Sequence, residues 1–247
     1  MPDKNKGVEI LSPVSETFEK QYLKVRRKEN RVYSDAEVRE LPETFFYNLH
    51  RQEWEIRKKS LQRLFHYLKK REKSAHVLEV GCGNGWLAGN LAKLQHLEIT
   101  GLDVNLFELE QAARVFDYSN LRFACGNIFE DILPFSSFDY VILSSAIQYF
   151  PNLTQLLNRC RQFLVQGGEI HILDSPLYME REVDDARERT LAYYQSISCG
   201  EMADNYHHHL LTDINNFDFS ILYRPGGLFK RLSGKQDSAF PWIRIIN

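Results

Sequence analysis

From residue 76 onward, short apolar runs rich in branched side chains alternate with segments of helical period. HVLEV at 76–80, EITGLD at 98–103, LRFACGN at 121–127, FDYVILSS at 138–145 and GEIHILDS at 168–175 read as five strands. Between them, Leu87, Leu91 and Leu94 form one helical stripe, Leu109, Ala112 and Ala113 a second, and Leu153, Leu156, Leu157 and Cys160 a third. Pro151 stands near the start of the third helix, with Gly167 and Gly168 just past its expected end. Strands apolar on both faces, alternating with helices, predict a mostly parallel sheet covered on each side, a doubly wound α/β fold.

The flanks read differently. Residues 1–50 form a polar leader expected to be helical, in which Ser34 and Glu37 have capping-box spacing and Pro42 ends a short helix. From 51 to 72 a longer helix puts Trp54, Leu61, Leu64, Phe65 and Leu68 on one side. Residues 176–216 are too long for a simple connection, and EREVDDARERT leading into Leu191, Tyr193 and Tyr194 predicts a helical substrate cover. FDFSILY at 217–223 and WIRIIN at 242–247 predict an antiparallel hairpin at one sheet edge, for seven strands in all. The expected organisation is a leader over 1–50 and one domain over 51–247.

Composition narrows the function classes. The 247 residues, 43% apolar and 26% charged, suit one principal core and exclude a disordered or collagen-like chain. Lys and Arg number 31 against 33 Asp and Glu, so no overall basic field exists to grip phosphate backbones. The cluster Arg26, Arg27, Lys28 and Arg31 reads as a solvated helix face, and nucleic acid is disfavoured as a partner. The start, MPDKNKGVEI, lacks the apolar stretch of a secretory signal, and no apolar run reaches the span of about 18 residues that a membrane helix needs. A cytoplasmic protein without membrane contact is expected. Cys82, Cys125, Cys160 and Cys199 are scattered without a CxxC pair, which suits reduced thiols and no structural metal.

Ligands of open α/β sheets lie beyond the carboxyl ends of the strands, so chemistry is sought there. The first strand runs through Glu79 into Gly81, Cys82, Gly83, Asn84 and Gly85, and then directly into a helix. The glycines suit a sharp turn and close approach to a ligand. A dinucleotide fingerprint would place its third glycine one residue later, where Trp86 stands. Glu79 would repel a diphosphate and favours a cationic ligand. Asp103 closes the second strand, 22 residues after Gly81, where a carboxylate can accept bonds from ribose hydroxyls. Asn127 follows the third strand as donor and acceptor, with Ile128 beside it to cover a flat ring such as adenine.

The ordered set of E-x-G-x-G-x-G, Asp103, Gly126-Asn127, FDYVILSSAIQYF and LVQGGEIHILD resembles the class I S-adenosylmethionine-dependent methyltransferases over residues 76–174. The resemblance implies their Rossmann-like fold, S-adenosylmethionine as cofactor and S-adenosylhomocysteine as product. It implies that Gly81, Gly83 and Gly85 with Glu79, Cys82 and Asn84 line the methionine end. Asp103 would then hold the ribose, Asn127 the adenine amino group and Ile128 the ring. Ser144 and Ser145 would pass beneath the methionine portion, and Gln148 and Tyr149 would face the substrate. The family often carries Asp where this chain has Asn127, whose carbonyl oxygen still accepts. Tyr47, Trp54 and Arg57 could close over the cofactor's carboxylate end, as leader segments do in some members.

The implied activity is methyl transfer to an acceptor, expected to be a small molecule, by in-line displacement. Such a reaction chiefly needs the acceptor held close and aligned, with a base only where a proton must leave early. The candidate catalytic residues are Asp174 at the end of the fifth strand, Tyr149, and His208 among His207, His208 and His209. Three adjacent histidines cannot all face one site on a regular element. Tyr178, Tyr193, Tyr194 and Tyr206 could line an acceptor pocket. Alternatives are a cofactor-binding partner subunit or sensor without transferase activity, a methyltransferase of protein or nucleic acid, and an NAD-dependent oxidoreductase.

Overall fold

The computed structural model describes residues 3–5, 7–13, 15–226 and 237–247. The leader departs first from expectation. It supplies two strands, β1 (Asp3–Asn5) and β2 (Val8–Ile10), before the helices α1 (Glu16–Lys28) and α2 (Asp35–Glu40). Strands of three residues are too short to show alternation, so periodicity could not find them. What forms β2 is tertiary: it pairs in parallel with Leu121–Cys125, giving that edge strand the backbone partners it would otherwise lack. The expected capping box is present, Ser34 Oγ accepting from the Glu37 N–H at 3.3 Å while the Glu37 carboxylate accepts from Ser34 N–H at 2.8 Å. The long helix α3 (Arg51–Lys69) buries Trp54, Leu64 and Leu68 as its stripe predicts.

The doubly wound core follows in order: β3 (Ala75–Val80), α4 (Trp86–Leu91), β4 (Leu97–Asp103), α5 (Leu106–Val115), β5 (Leu121–Cys125), β6 (Phe138–Ser144), α6 (Leu153–Phe163) and β7 (Leu164–Leu173). Alternate residues of each strand serve opposite faces. Val77, Ile99, Phe123 and Ile142 join the core under α3, α4 and α5. Leu78, Leu102, Val141 and Ile170 join the core under α6. Asn105 and Asn152 cap α5 and α6, each side chain accepting from the backbone N–H three residues on. Gly167 and Gly168 lie within β7 rather than just beyond α6, at a register shift between Phe138 and Tyr140 of the neighbouring strand.

After β7 comes α7 (Glu180–Ser196), then two short 3-10 turns at Gly200–Asn205 and Leu211–Ile214. The expected helical insertion is therefore present. The hairpin of β8 (Phe219–Tyr223) and β9 (Trp242–Ile246) adds antiparallel to β7 as expected, while residues 227–236 of its connection lie outside the described residues. Among the described residues the sheet has nine strands, not seven, in the order β1-β2-β5-β4-β3-β6-β7-β9-β8. Both additional strands come from the leader. The four cysteines are buried and unbridged. No described helix is long and apolar enough to cross a membrane.

Candidate functional site

The strand order turns back between β3 and β6, and the turn after β3 opens at that point. Gly81 has φ +74°, and a Cβ there would stand 2.8 Å from the Ala146 Cβ in the loop after β6. Only glycine allows the chain to bend and pass so close. Gly85, at φ +73°, performs the same service at the start of α4, where a Cβ would meet Ala112 and the Phe123 ring at 2.7 Å. Asp103 locks the turn from the end of β4: its Oδ2 accepts from Gly83 N–H at 2.7 Å and its Oδ1 from Asn105 N–H at 2.9 Å. Burial raises the Asp103 carboxyl above its ordinary value, against the pull of those N–H groups.

A cavity of about 310 Å³ opens here. Gly81, Gly83, Asp103, Asn127, Ile128, Ser145 and Tyr149 are on its wall, with Val80, Leu102, Phe129 and Ala146 between them. Asn127 is held by its neighbours, its N–H donating to Ser12 Oγ at 3.0 Å and its Oδ1 accepting from Phe129 N–H at 3.1 Å. Ser145, at φ +52°, donates its hydroxyl to the Asp174 carbonyl at 2.9 Å. Pro13, Ser15, Phe18 and Tyr22 of the leader close the opposite side. Sequence reasoning missed these leader residues, although Phe18 and Tyr22 stand four apart, the spacing of neighbours on one helix face.

The remaining predicted residues are not on this wall. Glu79 lies beneath the turn, 2% exposed, with Oε2 lacking a hydrogen-bond partner among the described residues and its carboxyl pushed well up by burial. Cys82 packs into the core against Gly101, and Asn84 turns its Oδ1 to the Trp86 N–H at 3.4 Å. Gly85 serves the backbone, and Ser144 closes β6 in register with Leu173. Asp174 points away to α3, its Oδ1 accepting from Ser60 Oγ at 2.6 Å. The strand end carries its backbone to the cleft, but a left-handed φ of +49° turns the side chain elsewhere.

The histidines fasten the insertion. His209 is buried with Nε2 2.9 Å from the Ile147 carbonyl, and His207 donates its backbone N–H to the Gln148 carbonyl at 2.7 Å. His208 Nε2 stands 2.8 Å from Thr190 Oγ1, its ring between Tyr178 and Tyr206. His209 thus belongs to the interior, and His208 packs as a prop for aromatic rings. Tyr47 is exposed, Trp54 is core, and no group of three His, Cys, Asp or Glu among the described residues could hold a metal ion.

A second cavity, about 350 Å³, lies across Tyr149, which lines both. Its walls come from α1 and the turn after it, α3 and the insertion: Arg26, Glu29, Arg31, Glu53, Arg57, Arg189, Tyr178, Tyr193, Tyr194 and Tyr206. The Tyr149 ring packs edge-on against Tyr22, Phe18 and Tyr206, with centroids at 5.6, 6.2 and 6.1 Å, as an aromatic partition. Burial raises its phenol, so the hydroxyl stays protonated at neutral pH. Burial opposes ionisation of Glu53, yet Arg57 and Arg31 hold it down at about 2.

Comparison with known proteins agrees with this geometry. Residues 71–217 match a family described as methyltransferase domain, and the chain belongs to that family. Over 170 residues it is 25% identical to the sterol 24-C-methyltransferase ERG6B of Gibberella zeae, covering 67% of this chain and 43% of that protein. Over 93 residues it is 34% identical to the malonyl-(acyl-carrier protein) O-methyltransferase of Acetivibrio thermocellus, covering 37% of this chain and 32% of that protein. The chain thus spans less than half the length of these curated relatives. Phosphoethanolamine N-methyltransferase 2 of Haemonchus contortus, solved with S-adenosylmethionine, shares the fold at TM-score 0.50 and 17% identity, over 74% of this chain and 51% of that one.

The class so defined is the S-adenosylmethionine-dependent methyltransferases, and S-adenosylmethionine is its cofactor. The residues present fit that molecule. The glycine turn leaves room that a Cβ would fill, and the orphaned Glu79 oxygen suits a nearby cationic group.

Proposed function

We propose that the protein transfers a methyl group from S-adenosylmethionine in the first cavity to a small-molecule acceptor in the second, by in-line displacement. The observation that carries this reading is the meeting of the two cavities at Tyr149. When bound, the cofactor supplies an activated methyl group. Gly81 and Gly83 would hold its methionine end, Asp103 the ribose hydroxyls, and Asn127 with Ile128 the adenine.

The chain's own contribution is placement. Phe18, Tyr22 and Tyr149 exclude water from the junction, and the protonated Tyr149 hydroxyl can orient an acceptor by donating a hydrogen bond. Alignment of this kind supplies much of the barrier reduction in displacement reactions. Glu53 is ion-paired and Asp174 faces α3, so neither is carried here as a base. The sterol and malonyl acceptors in the relatives' names share little chemistry, and a wall of guanidinium and phenol groups argues against a sterol here. Folding of the leader over both cavities, and of the insertion over the second, suits a small acceptor better than a polymer.

The test is release of S-adenosylhomocysteine with a panel of small acceptors. Turnover that Tyr149→Ala abolishes supports the reading. Tight cofactor binding with no turnover on any acceptor would replace it by a sensor or partner subunit.

A further inference from the structure

The second cavity carries an unbalanced charge, and its guanidinium groups are not equally occupied. Four arginines face two carboxylates on the wall. Arg31 is spent on Glu53 at 2.5 Å and on Glu29 at 3.3 Å, and Arg57 on the other oxygen of Glu53 at 2.9 Å. Arg26 is not: its nearest carboxylate oxygens, on Glu29 and Glu108, stand at 3.9 Å, and its buried Nε has no hydrogen-bond partner among the described residues. Glu108 offsets only part of this, because burial lifts its carboxyl to about 7 despite Arg26. Arg189, from α7, forms no ion pair among the described residues and is exposed at the rim.

We propose that this cavity binds acceptors bearing an oxyanion, a carboxylate or a phosphate, received by Arg26 and Arg189 and flanked by the tyrosine rings. The inference rests on the cavity being the acceptor site of the methyltransferase reading. A buried guanidinium with an unused N–H is costly until an acceptor oxygen reaches it, and oxyanions match the guanidinium fork in geometry and charge. Tyr149, Tyr178, Tyr193, Tyr194 and Tyr206 provide ring faces and hydroxyls for the rest of a small, planar molecule. A neutral acceptor would leave Arg189 without a counter-charge and Arg26 with carboxylates only at 3.9 Å. A cationic one would be repelled.

The experiment is isothermal calorimetry on the full chain in two stages. S-adenosylhomocysteine is titrated first, which tests the cofactor reading alone. The saturated protein then receives benzoate, phenyl phosphate, benzamide or benzylamine. Benzoate or phenyl phosphate should bind at least about tenfold more tightly than the neutral and cationic probes, and Arg189→Gln should weaken that binding about tenfold while leaving the first titration unchanged. Arg189 is exposed, so its substitution is not expected to unfold the chain. The tighter of the two anions identifies the carboxylate or the phosphate as the source. Equal or better binding of benzamide or benzylamine, or no binding of either anion, overturns the proposal. Failure of the first titration instead strikes the cofactor reading.

Discussion

Two glycines with nearly the same backbone angle allow the strain of the cofactor turn to be separated from its crowding. Gly81 has φ +74° and Gly167 has φ +75°, but a Cβ on Gly81 would stand 2.8 Å from the Ala146 Cβ, whereas one on Gly167 would meet nothing within 4 Å. Alanine at either position bears the left-handed penalty of about 1–2 kcal/mol, partly offset by a stiffer unfolded chain. Gly81→Ala adds overpacking of about 1–3 kcal/mol, because Ala146 and the loop after β6 must shift. Ala146 lines the first cavity, so the shift also deforms the cofactor wall. Urea unfolding should therefore show Gly81→Ala less stable than Gly167→Ala by about 1–3 kcal/mol. Calorimetry should show S-adenosylhomocysteine affinity reduced at least about tenfold in Gly81→Ala and unchanged in Gly167→Ala. Equal stability losses, or equal affinities, would refute the close approach as the reason for glycine at 81.

Glu108 is a carboxyl whose folded value is raised by burial to about 7, so its contribution is present below its unfolded value and is lost as pH rises through about 7. Wild-type stability should fall relative to Glu108→Gln between pH 5 and pH 8 in urea titrations; a rising or flat difference contradicts the assignment. Asp174 is likewise raised by burial against the pull of Arg57, and it bonds Ser60 rather than the cavity. Asp174→Asn should keep its stability at pH 8 and turn over within about twofold of wild type, whereas loss of a general base would cost about a hundredfold or more.

The central strands and their helices were legible because they carry strong periodicity, and so were the candidate site positions that depend on the backbone alone: Gly81, Gly83, Asp103 and Asn127 stand at or just past the ends of strands that the apolar runs locate. The leader strands were not, since Asp3–Asn5 and Val8–Ile10 are too short for alternation and exist because β5 offers an edge. Side-chain direction was also hidden. Asp174 sits where strand ends meet the cleft, but its left-handed backbone turns the carboxyl to Ser60. Arg26 and Arg31 read as solvated surface in the sequence, and with Arg57 they become a cavity wall only when α1, α3 and α7 converge. No local spacing encodes that convergence.

The central claim is that the turn after β3, pinned by Asp103, binds S-adenosylmethionine. Its most direct measurement is calorimetric titration of S-adenosylhomocysteine into wild type and Asp103→Ala, with NADH as the competing ligand. Saturable one-to-one binding to wild type, weakened at least about tenfold in the variant and absent for NADH, is the predicted result. No heat from either S-adenosylhomocysteine or S-adenosylmethionine, or preferential binding of NADH, would contradict it.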